Sequence, residues 1–254
     1  MTTANDSLLP GDWPEIVRQI RARTPARVLA GRTGAAYRTT TQLDLREAHA
    51  SARDAVHTEL NLEQQFDSEF VKRWKLFEVS TQAVSKEEYL QHPNLGRVFA
   101  RASHSELLER CPPGADLQIA IGDGLSVSAV VAQIPRLLPA IFDGAKAHNW
   151  TVGQSFVIRH CRVGILNQIG ELLTPAVAVL LIGERPGLAT AESLSAYMAY
   201  RPRPGHTDAD RNLISNIHVR GISPEKAATR IIELATQMMK AQRSGTRLHL
   251  PQNY

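Results

Sequence analysis

The sequence has few cysteines and no long apolar run, and each lack excludes a class of protein. Of its 254 residues only Cys111 and Cys161 are cysteines, and they form no C-x-x-C pair. Neither a zinc cluster, nor any other metal site, nor a disulfide framework is therefore expected, and a reducing compartment fits best. No apolar run approaches the roughly 20 residues that span a bilayer, and no N-terminal signal pattern is present. The sequence predicts a cytoplasmic protein without a membrane partner.

Concentrated charge is also missing. Lys and Arg number 29 against 25 for Asp and Glu, which gives a net charge of +4. These residues are spread along the chain without any run of five or more basic residues, so a nucleic-acid partner is not expected. A basic RNA-binding module stays open as an alternative, and its affinity would depend steeply on salt.

The motifs of self-contained enzymes are absent as well. The sequence contains no G-x-S-x-G, no H-E-x-x-H, no P-loop and no G-x-G-x-x-G, so no catalytic set is expected within this chain. His160 and His218 follow predicted strands, where a hydrogen-bonded structural role is commoner than acid–base catalysis. A stand-alone nicotinamide-dependent oxidoreductase stays open as an alternative, although it would need a dinucleotide fingerprint.

Helical periodicity dominates the first part of the chain. Asp12-Trp13-Pro14-Glu15 predicts the start of a short helix, and a long helix is predicted from Thr41 onward. An aromatic set at helical spacing predicts core or subunit contact, and it comprises Phe66, Phe70, Trp74 and Phe77. The segment Cys111-Pro112-Pro113-Gly114 then breaks the pattern. We therefore expect a helical N-terminal domain over 1–112 and a second domain over 113–254.

The second part alternates apolar strands with helices. Three strands are predicted at 117–121, 155–160 and 176–182, and the last is apolar at every position, as in a sheet covered on both faces. An edge strand over 193–200 and a short strand over 214–218 should follow. A final helix should begin at Ser223-Pro224 and stop at Gly245. The predicted fold class is α/β, a doubly wound, Rossmann-like domain with a mostly parallel sheet, behind the helical N-terminal domain.

Polar residues follow three of these strands. Asp123, Arg162 and Glu184 each come directly after a different strand. Since ligands of open α/β sheets bind beyond the carboxyl ends of the strands, the three side chains are expected to face one crevice. Glu184 is the best candidate for a ligand contact. An ion pair with Arg185 or with a neighbouring strand is the alternative role.

Several long motifs around these residues resemble one known family. They are Arg162-Val163-Gly164, Asn167 to Glu171, Gly183 to Leu188, Glu192 to Ser195, and Ala209 to His218. They are similar to the small (light) subunit of adenosylcobalamin-dependent ethanolamine ammonia-lyase. The similarity continues upstream through Asp123 to Ser126, Ala52 to Val56, and Ala26 to Arg32, so it covers nearly the whole chain.

The resemblance implies a cofactor and a partner. The cofactor is adenosylcobalamin (coenzyme B12), with contacts at Val163, at Glu184, and at Leu213, where better-known members have cysteine. Arg162, beside Val163, is a further candidate for contact with the corrin ring. The D-x-H-x-x-G motif that supplies a histidine to cobalt is missing, so the cofactor is expected to be base-on, with no ligand to cobalt from this chain.

The activity implied by the resemblance is shared between two chains. A large TIM-barrel subunit would form a hetero-oligomer with this one and hold most of the substrate site, and ethanolamine would be converted to acetaldehyde and ammonia by radical chemistry. A location inside a bacterial microcompartment and one in the free cytoplasm both stay open. A non-catalytic corrinoid- or nucleotide-binding module is the alternative function.

Overall fold

Helices make up most of the described residues before residue 112. The computed structural model describes residues 14–24, 28–29, 32–187 and 189–248. The elements in this part are α1 (Glu15–Ala22), β1 (Arg32–Thr33), β2 (Ala36–Tyr37), α2 (Thr39–His57), α3 (Leu62–Gln65), α4 (Ser68–Trp74), β3 (Glu78–Ser80), α5 (Lys86–Gln91) and α6 (Arg101–Arg110). Some positions used in the sequence predictions lie outside the described residues, namely Asp12, Trp13, Ala26, Arg27, Gly31 and Leu188.

Side-chain caps fix the starts of the short helices. The Asp67 carboxylate accepts hydrogen bonds from the backbone N–H groups of Glu69 and Phe70 at the start of α4. The Ser85 hydroxyl accepts one from the N–H of Glu88 at the start of α5. These bonds satisfy N–H groups that have no partner within the helix.

The second part of the chain contains the longer strands and helices. They are β4 (Leu117–Gly122), α7 (Val127–Ala147), β5 (Phe156–Arg159), α8 (Leu166–Leu173), β6 (Val177–Gly183), β7 (Leu194–Tyr200), β8 (Asn212–Ile217) and α9 (Pro224–Ala241). Helix α9 ends before the predicted stop at Gly245, because Gln242 takes the left-handed conformation, with φ of 52°, that closes the last turn.

The main sheet of the described residues is mixed. Its strand order is β3-β5-β4-β6-β7-β8, and the first four strands are parallel to one another. Strand β7 runs antiparallel to β6, and β8 antiparallel to β7. The predicted α/β class is confirmed, whereas a mostly parallel sheet describes only its first four strands. The prediction of 193–200 as an edge strand is wrong, because β8 pairs along the outer side of β7.

Strand β3 connects the first part of the chain to the sheet. It comes from before the predicted boundary at 112, yet it pairs with β5 through Glu78, Val79 and Ser80. The division into a helical domain and a second domain stays a prediction.

The core lies on both faces of the sheet. Helices α7 and α9 pack on one face, where buried side chains include Leu137, Leu181 and Ile231. Helices α6 and α8 cover the other face over β3 and β6, with Phe156 and Leu180 buried there. All seven residues of β6 are buried, as its apolar run predicts. Among the described helices, none has the length and apolar character that crossing a membrane requires.

Candidate functional site

One part of the sheet surface is open to solvent. On the α8 side, Tyr197 of β7 packs at the margin of the core cluster that also contains Leu180 and Val163. Tyr197 is paired in register with Leu213 of β8, and Leu213 is 48% exposed. Side chains of paired residues lie on the same face of a sheet. We call this surface, defined by Tyr197 and Leu213, the open face.

A cavity of about 550 Å³ extends from the open face toward the end of β5. Tyr197 lines it on the sheet side, and Arg162 and Val163 line it on the side of the β5 end. Arg211 lines it from the segment just before β8. Three of the four predicted cofactor contacts thus surround one continuous surface, since Arg162 and Val163 line the cavity and Leu213 lies beside Tyr197.

Arg162 is held in place by packing. Its guanidinium carbon lies 4.3 Å from the ring centroid of Tyr89, a geometry typical of a cation–π contact. Gly96 allows this approach, because a Cβ atom there would lie 2.7 Å from the Arg162 Cγ and 2.7 Å from the His160 carbonyl oxygen. The Nε atom of Arg162 is buried and has no hydrogen-bond partner within the described part of the chain.

Arg211 was not predicted from the sequence as a site residue. Its side chain is 6% exposed and forms an ion pair with Asp208 at 2.5 Å. It also donates to Asn167 Oδ1 at 3.0 Å, which joins the segment before β8 to α8. Like Arg162, it has a buried Nε atom without a partner among the residues described. Two guanidinium groups therefore line the cavity.

Glu184 lies at the end of β6 and joins the last three strands. Its carboxylate accepts hydrogen bonds from the hydroxyls of Ser193 at 2.6 Å and Ser195 at 2.5 Å. It also accepts one from the backbone N–H of Asn216 at 3.1 Å. The alternative role was an ion pair with Arg185 or with a neighbouring strand. Glu184 does contact neighbouring strands, but through hydroxyl and backbone N–H donors. Ser195 precedes Tyr197 by two residues on β7, so Glu184 lies at the margin of the open face.

Asp123 does not line the crevice, contrary to the prediction. It is completely buried, and its carboxylate accepts the backbone N–H groups of His160 at 2.9 Å and Cys161 at 2.8 Å. The ammonium of Lys86, itself 5% exposed, lies 3.3 Å away. Asp123 thus fixes the end of β5, from which Arg162 and Val163 continue.

The two predicted histidines have structural partners. His160 is buried, with Nδ1 2.9 Å from the Ala83 carbonyl oxygen and Nε2 3.0 Å from a carboxylate oxygen of Glu59. His218 is buried beside the turn after β8, where its Nδ1 accepts from the N–H of Arg220. No group of three or more metal-binding side chains occurs in the ranges that the structure describes.

Tyr197 is a second residue that the sequence did not indicate. Burial raises the pKa of its hydroxyl, and the nearby carboxylates of Asp208 and Glu184 raise it further. The group is therefore a neutral hydrogen-bond donor and acceptor at neutral pH. The alternation in β7 was the available signal, because Ala196 and Met198 point into the core under α9 and leave Tyr197 on the opposite face.

Comparison with known proteins gives a consistent result. The family described as ethanolamine ammonia-lyase light chain (EutC) matches residues 14–249. The chain is similar to the ethanolamine ammonia-lyase small subunit of Clostridium perfringens, with 39% identity over 231 residues, 91% of this chain and 76% of that protein. The corresponding subunit of Clostridioides difficile is 39% identical over 91% of this chain and 77% of its own. The corresponding subunit of Listeria monocytogenes serotype 4a is 40% identical over 89% of this chain and 75% of that protein.

Proposed function

Since the chain belongs to the ethanolamine ammonia-lyase light chain family and is a small subunit of such a lyase, we propose that its open face holds part of adenosylcobalamin. Val163, Glu184, Leu213 and Arg162 are the proposed contacts, and Tyr197 and Arg211 are added from the structure. The observation that carries the proposal is the position of Arg162, Val163 and Leu213 around one surface.

The chemistry of the open face suits a corrin. The corrin ring carries amide side chains whose carbonyl oxygens accept hydrogen bonds, and the guanidinium groups of Arg162 and Arg211, which line the cavity, are hydrogen-bond donors. A guanidinium group has several N–H donors in a planar arrangement, so those that face the cavity suit such acceptors. The exposed side chain of Leu213 offers apolar area for the ring itself. A backbone contact at this position would tolerate leucine in place of cysteine.

The cofactor, the partner and the reaction complete the proposal. When bound, adenosylcobalamin supplies the radical chemistry for conversion of ethanolamine to acetaldehyde and ammonia, and the protein supplies binding and orientation. We propose that it is bound base-on and that a large TIM-barrel subunit carries most of the substrate site. The helices on both faces of the sheet support a doubly wound, Rossmann-like description for the cofactor-holding part, 113–254.

The isolated chain is expected to have no lyase activity. The two histidines that follow strands, His160 and His218, are engaged in structural hydrogen bonds. The measurement is acetaldehyde formation from ethanolamine and adenosylcobalamin, with the purified chain alone and with the co-purified large subunit. Acetaldehyde formation by the chain alone would show that the proposed division of labour is wrong.

Arg162→Ala is expected to weaken cobalamin binding by the two-subunit complex. A hydrogen bond from a charged donor typically contributes about 1.5 to 3 kcal/mol, so affinity should fall roughly 10- to 100-fold. A spectrophotometric titration with cobalamin gives the affinity, and size-exclusion chromatography reports whether the complex still forms.

The matched control is Arg101→Ala, which removes an exposed arginine at the start of α6. It should leave cobalamin affinity unchanged. If Arg162→Ala also leaves both affinity and assembly unchanged, Arg162 is a structural residue that packs on Tyr89.

A further inference from the structure

A second cavity, of about 500 Å³, lies where β7 ends and α9 ends. Four arginines line it, two from the segment after β7 and two from the segment after α9, together with His206 and Asp210. We call it the arginine cavity, and its arginines are Arg201, Arg203, Arg243 and Arg247. Since β7 runs antiparallel to β6, the arginine cavity is at the amino-terminal edge of the parallel strands. The end of β5 with Arg162 is at the opposite edge.

The arginine cavity has an excess of positive charge. Its one carboxylate, Asp210, is paired with Arg247 at 2.6 Å. A backbone hydrogen bond from Thr207 lowers the pKa of Asp210, so the group is ionised at neutral pH. Within the described residues, the other three arginines of the cavity form no ion pair. Three guanidinium charges thus have no counter-charge among the residues described.

The walls of the arginine cavity are joined firmly. The Ser244 hydroxyl donates to the Asp210 carbonyl oxygen at 2.6 Å and accepts from the N–H of Tyr200 at 3.0 Å. Gly245 has a φ of +72°, and a Cβ atom there would collide with the Ala209 carbonyl oxygen. A glycine is therefore required at this contact, which brings the segment after α9 against the segment before β8. The side chains that line the arginine cavity therefore extend from backbone segments that are held at a fixed separation.

His206 lies between the arginine cavity and the cavity at the open face, and it lines both. Burial lowers the pKa of its ring, and Arg203, Arg247 and Arg211 lower it further against the opposing effect of Asp210. The ring is therefore mostly neutral at neutral pH. Its Nδ1 atom is buried and has no hydrogen-bond partner in the part of the chain described.

We propose that the arginine cavity binds a small anion carrying a phosphate monoester or pyrophosphate group, at a site separate from the open face. Guanidinium groups present pairs of N–H donors in a planar fork that matches two phosphate oxygens. A phosphate dianion offers enough oxygens for several such forks, whereas a single carboxylate would occupy one. The cavity volume of about 500 Å³ accommodates a small phosphorylated molecule.

The test is isothermal titration calorimetry of the full chain with inorganic phosphate and with pyrophosphate. Sodium chloride keeps the ionic strength constant, because surface charge alone attracts anions in a salt-dependent way. Saturable binding is expected, tighter for pyrophosphate than for phosphate. The double variant Arg203→Gln/Arg243→Gln should weaken pyrophosphate binding at least about 10-fold, since each removes a charge-assisted contact.

The matched control is Arg46→Gln/Arg53→Gln, which removes the same charge from exposed positions of α2 and should leave binding unchanged. The single variants Arg203→Gln and Arg243→Gln, checked by circular dichroism, separate loss of contact from loss of folding. Absence of saturable binding, or equal weakening in the control, would overturn the proposal. If cobalamin displaced pyrophosphate, the claim that the arginine cavity is separate from the open face would be overturned. The phosphodiester of the cofactor would then be the natural anion of the cavity.

Discussion

Replacing Asp123 by alanine is expected to lower the free energy of unfolding by about 3 to 5 kcal/mol, the cost of leaving one charge of a buried pair without its partner. Lys86 and Asp123 are 5% and 0% exposed, so water cannot replace the lost carboxylate. The backbone N–H groups of His160 and Cys161 lose their acceptor as well. Both effects act at the end of β5, which carries Arg162 and Val163.

Urea unfolding followed by circular dichroism measures this loss. Asp143→Ala, at an exposed position of α7, is the matched control and should change the free energy by less than about 0.5 kcal/mol. The double variant Lys86→Met/Asp123→Leu should regain part of the stability, because no charge is then buried. A loss below about 1 kcal/mol for Asp123→Ala would mean that water or another group reaches Lys86.

Glu184→Ala is expected to weaken cobalamin binding by the two-subunit complex roughly 10- to 100-fold. A carboxylate has about four acceptor positions, and Ser193, Ser195 and Asn216 use three of those of Glu184. The remaining position is the one proposed for a corrin amide N–H. Alanine would remove that contact and also release the donors that hold β7 and β8 around the open face.

Glu184→Gln should weaken cobalamin binding less than Glu184→Ala. One oxygen remains for Ser195 and Asn216, and the new amide can donate to the Ser193 hydroxyl. Cobalamin titration of both variants, with the exposed Glu171→Ala on α8 as the control, separates these effects. Turnover at saturating cofactor should change little if Glu184 only binds. Equal affinity for the wild type and Glu184→Ala would leave Glu184 with a purely structural role in joining the strands.

Three of the four parallel strands, β4, β5 and β6, were predictable because their signals are local. Strand β6 is apolar throughout and β4 is apolar except for Gln118, and Ser126, which caps α7 through the N–H of Ala129, lies in the small-residue turn after β4. The antiparallel half was not predictable in the same way. The alternation of β7 fits an edge strand and an inner strand equally well, and only pairing with β8 distinguishes them.

The contacts of the candidate site residues were likewise only partly predictable from the sequence. Arg162 and Glu184 were correctly placed after strands, but Tyr89, which packs on Arg162, and Asn216, which donates to Glu184, come from distant segments. Asp123 follows a strand in the same way, yet Lys86, from 37 residues earlier, covers it. A sequence shows that a carboxylate ends a strand and does not show which side chain from another element will lie over it. The positions of Tyr197 and Arg211 likewise depend on the β7–β8 register.

The strand order also determines when the sheet can be completed during synthesis. Strand β4 lies between β5 and β6, so its edge toward β6 stays without a partner until the chain has been extended past residue 183. The apolar helix α7, which follows β4 at once, has α9 as its main neighbour, and α9 is made last. The nascent chain therefore carries an unpaired strand edge until β6 is made and an uncovered apolar helix until α9 is made, the features that expose folding intermediates to aggregation.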